Sequence, residues 1–423
     1  MHHKVRATGS YNFLQARIQI PSTINLDLLD KLCGDYWDWQ LPLFLRFGFP
    51  LDFPQEARSK LISSNVNHAS ALQYPGDIKH YLETEIKHKA IVGPFHSPPF
   101  GDNTQVSPFM SRPKPDSTNR RVIIDLSWPK EASVNHFTLD NVYLNSVFKL
   151  QYPTIDTITE QLGKLGTSAL IYKVDLSRAF CQLPIDPHDY NLLCLGWDKA
   201  YYCDLRCPFG EKIGSSLCSH LTDLFRYLAF QQGHITYTYV DDVIATSGPE
   251  YAELGFSFLK NLLEELNFPI SPNKLVSPTH EATCLGIIIN TRNQTLSVPQ
   301  EKLQEILEKC REVINCTVVT KNKFQSLLGS LMYVHKCVKP TRVFTNRLLH
   351  SLRDSKDKKV IITLAIKKDI SWFLNFLPRF NGTTTYVHTN PFRSHTIAID
   401  ACLKAVGGVW DNKVYTAPIP KIF

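Results

Sequence analysis

The segment HITYTYVDDVIATS, from His234 to Ser247, constrains this chain more than any other stretch. It is rich in apolar, β-branched and aromatic residues, and its one acidic interruption is the adjacent pair Asp241 and Asp242. Such a run predicts two short strands joined by a tight turn at the acids. Neighbouring carboxylates between buried strands are costly unless positive charge sits beside them. Hard oxygen ligands at such a point suit a divalent cation.

A second acid has similar flanks. ALIYKVDLSRAF, from Ala169 to Phe180, predicts a buried strand that ends at Asp175. If the two acidic segments are neighbours, three carboxylates meet at one end of a sheet. Two divalent ions about 3.5–4 Å apart could bind there. A pair of that kind acts on a phosphoryl group by positioning and electrostatics, without a covalent intermediate. Spacing alone leaves a plainer alternative open, in which Asp175 caps a following helix and Asp241-Asp242 form an ordinary acidic turn.

The length, 423 residues, predicts two or three domains. Forty-six Lys+Arg against 39 Asp+Glu leave a charge of +7, which admits a polyanionic partner without requiring one. Eleven scattered cysteines and a start, MHHKVRATGS, without an apolar signal region predict free thiols in a reducing compartment. Cys203, Cys207, Cys218 and His220 match no strong zinc template and read as buried small side chains. The longest apolar stretch, Leu41 to Phe53, is broken by Pro42, Arg46, Pro50 and Asp52 and cannot span a bilayer. The expected location is intracellular, in cytoplasm or nucleus, with no membrane partner.

Other segments supply context. Residues 91–125 are loop-rich, gather Arg112, Lys114, Arg120 and Arg121, and end in the strand-like VIID, which predicts a basic hairpin. Helical spacing recurs at Leu259, Leu262, Leu263 and Leu266. It recurs at Leu303, Ile306, Leu307 and Cys310, and at Phe324, Leu327, Leu328 and Leu331, with Thr320 as an N-cap. Residues 299–380 therefore read as a helix-rich module. His395 to Trp410 reads as a strand, a glycine turn and the start of a second strand.

Taken in order, SRPKPDSTNRRVIIDLS, KVDLSRAFCQLPI, CPFGEKIGSS, YVDD, PNKLVSP and CLGIII resemble a reverse transcriptase over residues 91–290, with weaker similarity through Phe423. More narrowly, they resemble retroelements of the DIRS/Ngaro type, which move by a tyrosine recombinase. The specific part is YVDD about 65 residues after a D-x4-F strand, with a PFG loop between them. The resemblance implies an α+β, right-hand polymerase fold of fingers, palm and thumb, with an antiparallel palm sheet and a truncated ribonuclease H-like segment after it. It divides the chain into 1–90, of unknown role; 91–295, fingers and palm; 296–380, helical thumb and connection; and 381–423, an incomplete ribonuclease H-like piece. The implied activity is RNA-directed DNA synthesis. A primer 3′-hydroxyl on an RNA or DNA template would be extended with deoxynucleoside triphosphates, using Mg2+ or, in its place, Mn2+. Other retroelement proteins are implied partners. The alternative is a catalytically silent relative that only binds nucleic acid.

The resemblance also implies residue roles. Asp175 and Asp241 match the metal-binding aspartates, the Leu176 carbonyl a further ligand, and Asp242 the second member of the acidic pair. Phe180 matches an aromatic that closes on C2′ of the incoming sugar and excludes a ribose hydroxyl. Lys114 and Arg121 match fingers residues that hold the triphosphate through charge-assisted hydrogen bonds. Pro208-Phe209-Gly210 matches the loop under the nucleotide, although Ile213-Gly214-Ser215-Ser216 stands where the family often has a proline. Lys274 matches a lysine near the leaving pyrophosphate, a candidate general acid. Leu285-Gly286 matches the hairpin that grips the primer end. Asp400 resembles the first ribonuclease H aspartate. Only Asp411 follows it before Phe423, so a truncated open reading frame or an incomplete gene model is expected, and no ribonuclease H activity from this chain alone.

Overall fold

The computed structural model describes residues 20 and 22–418, apart from 65, 115–119, 140, 148, 339–340, 356–357, 381–382, 387–396, 403–404 and 411–412. At its centre lies a four-stranded antiparallel sheet in the order Ile235–Tyr239, Asp242–Ser247, Leu170–Asp175, Val276–Thr279. The β-branched segments found in the sequence are its strands, and the acidic pair sits at the turn of the first hairpin.

Side chains along a strand alternate between faces, and here both faces are buried. Tyr172, Val174, Val243 and Ala245 enter one core with Phe225, Leu259 and Leu263. Ile171 and Ile244 enter a second core with Ile158, Leu162, Ile287, Leu303 and Phe324. The helices Gly214–Gln231 and Pro249–Glu265 pack on the sheet from the first side, and Ile155–Leu165 packs on Asp242–Ser247. Thr154 caps that last helix through a reciprocal box with Thr157.

The helical module consists of Gln300–Ile314, Lys321–Val334, Thr341–Asp354 and Leu364–Phe380. Thr320 caps the second of these by accepting the Lys323 N–H at 3.3 Å. The module also contains a short strand pair, Val318–Thr320 with Lys359–Ile361, that helical periodicity does not reveal. A separate sheet joins Glu281–Cys284, Ile287–Asn290, Thr295–Ser297 and Thr383–Thr385. The chain thus returns to this sheet at residues 383–385, past the division drawn at 380.

Residues 91–125 hold the basic hairpin, Phe109–Pro113 paired with Arg120–Ile124. The region before residue 90 is tied to the centre. Phe49 bridges Ile185, and the Leu51 N–H and the Arg58 guanidinium both donate to Asp189, at 2.9 and 2.8 Å. Near the end, Ile397–Ala401, Ala405–Trp410 and Lys413–Pro418 form an antiparallel sheet. Gly407 and Gly408 lie inside its middle strand and do not form the expected turn. A Cβ at Gly408 would meet the Tyr415 ring at 2.5 Å, so the glycine admits that ring across the sheet. No disulfide joins the eleven cysteines. Among the described residues no helix is long and apolar enough to cross a membrane.

One buried acid makes the fold sensitive to pH. Asp204 is 3% exposed and accepts the Arg206 N–H at 3.1 Å. Burial pushes its pKa up to about 8 against the pull of that bond, and Glu85 adds to the rise. The unfolded value is about 3.9. The stabilising contribution is therefore complete below about pH 4 and is lost as pH rises through about 8, at no more than about 1.4 kcal/mol per pH unit. Thermal melts from pH 5 to 9 should show a steeper fall of Tm for the wild type than for Asp204→Asn. Equal slopes would remove Asp204 as the titrating group.

Candidate active site

Strand register builds the site. Asp242 lies directly opposite Asp175, and Tyr239 pairs with Asp242, so Val240 and Asp241 form a two-residue turn. Val240 has φ 56°, an unusual conformation for a β-branched residue. Strain of about 1–3 kcal/mol is typical of such positions and persists only where the surroundings enforce it. Helix Gly214–Gln231 provides that enforcement. The Thr222 hydroxyl donates to the Val240 carbonyl at 2.9 Å, and the Cys218 thiol approaches the same oxygen at 3.6 Å. The Asp241 carbonyl accepts the Leu176 N–H at 3.1 Å, which locks the turn to the end of the central strand. The Leu176 carbonyl takes no backbone hydrogen bond among the described residues.

The three acids are short of counter-charge. Asp175 is 1% exposed, and its Oδ1 has no hydrogen-bond partner. Its Oδ2 accepts from Lys274 Nζ at 2.9 Å. Lys173 Nζ stands 3.7 Å from Asp242 Oδ1. Burial raises the Asp241 pKa, and Asp175 raises it further against the opposing charges of Lys274 and Arg121. Burial brings Asp242 up to about 6, with Lys173 opposing and Asp175 and Asp241 adding to the rise. At Lys274 burial works against the charge, yet the bond to Asp175 and the nearby acids prevail and hold the ammonium above the usual lysine range.

This donor set fits a divalent cation. It is all hard oxygen, one buried carboxylate oxygen is orphaned, and the acids repel one another. As they stand, two ammonium groups offset part of the charge of the three carboxylates, and among the described residues no three His, Cys, Asp or Glu side chains form a ready-made metal cage. That holds for the cysteine group around Cys207 as well. The Lys274 side chain is 62% exposed, whereas Lys173 is 14% exposed and lies within the sheet.

The basic hairpin and the 208–210 loop form a second cluster. The Arg121 guanidinium lies over the Phe209 ring at 4.6 Å, and Phe209 meets Phe180 edge-on at 5.4 Å. Phe180 in turn packs where a Cβ at Gly214 would come within 3.1 Å of its ring. Glycine at 214, in the segment where a proline was looked for, therefore makes room for Phe180. Gly210 adopts φ 129°, and a Cβ there would sit 2.2 Å from the Ile124 carbonyl oxygen. Gly210 thus admits the backbone of the basic hairpin. Asn135 secures the loop by donating to the Gly210 carbonyl at 2.8 Å. Arg112 lies directly opposite Arg121, a like-charge pair that destabilises a hairpin unless an anion joins it. Lys114 follows Pro113 and is exposed; no contact joins it to the aspartates among the described residues.

Leu285 and Gly286, with φ 49° and 82°, make the two-residue turn between Glu281–Cys284 and Ile287–Asn290. The Tyr333 hydroxyl donates to the Gly286 carbonyl and ties this turn to the helical module. A cavity of about 730 Å³ opens between them, lined by Tyr239, Asp242, Lys173, Leu285, Gly286 and Lys336 among others. Asp400 is exposed on its strand opposite Gly407, and Asp411 falls outside the described residues.

Residues 112–289 match the family model described as reverse transcriptase (RNA-dependent DNA polymerase). They form a reverse transcriptase domain of the retroelement kind. The retrovirus-related Pol polyprotein from transposon 297 of Drosophila melanogaster is 23% identical to the chain over 287 residues, 65% of this chain and 24% of that protein. The polyprotein from transposon gypsy of the same organism is 29% identical over 192 residues, 45% of this chain and 17% of that protein. The chain therefore spans about a quarter or less of the curated relatives it matches. In fold it is similar to a foamy viral protease-reverse transcriptase solved with double-stranded DNA, at TM-score 0.58 and 14% identity, over 96% of this chain and 69% of that one. A foamy viral protease-reverse transcriptase with an RNA/DNA hybrid gives TM-score 0.52 at 15% identity, over 96% of this chain and 54% of that one.

Four site residues escaped the sequence reading. Lys173 had a signal, since it lies two positions before Asp175 and so on the same face of the strand. Thr222, Asn135 and Tyr333 had none, because each reaches the site from a distant element. A test follows from Gly210. Its replacement by Ala forces a Cβ against the backbone of Ile124 at positive φ. A loss of about 2 kcal/mol or more in urea unfolding is expected. A loss below about 0.5 kcal/mol would show that the loop relaxes freely.

Proposed function

We propose that this chain is an RNA-directed DNA polymerase that extends a primer 3′-hydroxyl with deoxynucleotides by two-metal-ion nucleotidyl transfer. The observation that carries the reading is the register of Asp175 against Asp242, with Asp241 in the adjoining turn and Asp175 Oδ1 left without a partner. Asp175 and Asp241, with the Leu176 carbonyl beside them, would hold the metal, and Asp242 completes the acidic pair. When bound, Mg2+ or Mn2+ supplies charge that activates the attacking hydroxyl and neutralises the triphosphate.

The chain's own residues do the rest. Arg121, fixed on the Phe209 ring, donates to the triphosphate, and the like charge of Arg112 opposite it favours an anion there. Lys114 extends the same basic edge. Phe180, held between Phe209 and Gly214, closes on the sugar at C2′ and rejects ribose. Gly210 and Phe209 support the nucleotide from below. Lys274 releases Asp175 as substrate binds and protonates the leaving pyrophosphate. Leu285 and Gly286 hold the primer end. The partner is a template–primer duplex, in keeping with the foamy viral relatives solved on double-stranded DNA and RNA/DNA hybrid. Placement among the tyrosine-recombinase retroelements rests on the motif strings. A non-catalytic binder remains the competing reading, and the two lysines already paired with Asp175 and Asp242 favour it.

Extension of a DNA primer on an RNA template separates the readings. Asp241→Asn and Asp242→Asn should each lower the rate about 100-fold or more while template–primer binding persists. Binding without extension by the wild type would establish the non-catalytic reading. Phe180→Val should lower the preference for deoxynucleotides over ribonucleotides, measured as a ratio of kcat/KM; an unchanged ratio removes it as the gate. Arg121→Gln should raise the nucleotide KM and leave the template–primer Kd alone. An unchanged KM would take Arg121 out of the site.

A further inference from the structure

The cavity beside Asp242 contains a cation that the motifs do not explain. Lys336 lies just beyond helix Lys321–Val334, is exposed, and lines the cavity together with Lys173 and the Leu285-Gly286 turn. Lys173 is engaged by Asp242. Lys336 has no acidic partner among the described residues; its ammonium rests 5.3 Å from the centre of the Tyr333 ring. The same tyrosine donates its hydroxyl to the Gly286 carbonyl. One side chain therefore fixes both the grip turn and the lysine above the cavity.

A helix C-terminus and a ring face both favour a cation, and they account for Lys336 as a purely structural residue. They do not explain why it lines the cavity that also reaches Asp242 and Tyr239. An ammonium held at an edge and left without a carboxylate is suited to a phosphate. We infer that Lys336 binds a phosphodiester of the primer strand close to its 3′ end, with Tyr333 as the residue that positions it. The inference rests on the polymerase reading, because that reading puts a primer terminus in the cavity. It adds a cationic contact to a grip otherwise made of backbone and Leu285.

Equilibrium binding of a labelled DNA primer on an RNA template tests this without turnover. The wild type, Lys336→Gln, Lys336→Arg and the remote control Lys79→Gln are titrated over a range of KCl concentrations. Lys336→Gln should weaken binding and lower the slope of log Kd against log salt by about one, the signature of one lost phosphate contact. Lys336→Arg should restore the slope, and Lys79→Gln should not change it. On a primer whose last three linkages are uncharged methylphosphonates, wild type and Lys336→Gln should bind alike. A packing role would alter melting temperature but not the salt slope. An unchanged slope in Lys336→Gln, or an equal loss on both primers, overturns the inference while leaving the polymerase reading intact. Failure of the wild type to bind any template–primer overturns both.

Discussion

Everything at this site follows from setting a buried acid across from a half-buried one. Asp175 and Asp242 face each other on adjacent antiparallel strands, and Asp241 sits in the turn that joins Asp242 to its hairpin. Burial and mutual repulsion raise the proton affinity of the last two, so the arrangement needs positive charge. In the protein alone that charge comes from Lys274 and Lys173, one near the solvent and one within the sheet. The difference in exposure gives the two lysines unequal roles, since an exposed ammonium is the easier one for a divalent ion or a phosphate to displace.

Holding like charges together requires a frame that does not yield. The central sheet supplies it by burying both faces. Tyr172, Val174 and Val243 anchor it to the first core, and Ile171 and Ile244 anchor it to the core shared with the helical module. A one-residue slip would exchange every contact with both cores, so register is enforced from two sides. The same rigidity holds Val240 at positive φ, against the preference of a β-branched residue. The basic hairpin, the 208–214 loop and the helical module are fixed to this frame through specific contacts. Gly210 lies against Ile124, Phe180 against Gly214, and Tyr333 bonds Gly286.

Much of this was legible in the chain. The strands around Asp175 and Asp241 stood out because β-branched runs are local signals, and the capped helix after Thr320 because its apolar spacing is periodic. Phe180 and Phe209 were singled out only through motif resemblance, Arg121 also through its basic cluster, and the three prove to be neighbours. The turn expected at Gly407-Gly408 was misplaced because glycine marks close approach as well as turns, and here it admits Tyr415. The tie between residues 49–58 and Asp189 left no trace in the sequence, since its partners lie more than a hundred positions apart.

The sequence by itself determined the kinds of residue available: three acids at strand ends, a basic hairpin, aromatic and glycine positions in a fixed order, and helices after residue 299. Those are properties of neighbours along the chain, where periodicity and turn chemistry act. Only the tertiary structure decided that Asp175 meets Asp242, that Lys173 and Lys274 divide the counter-charge, and that Lys336 stands over the same cavity. Each of these is a contact between distant segments, chosen by how two cores pack against one sheet.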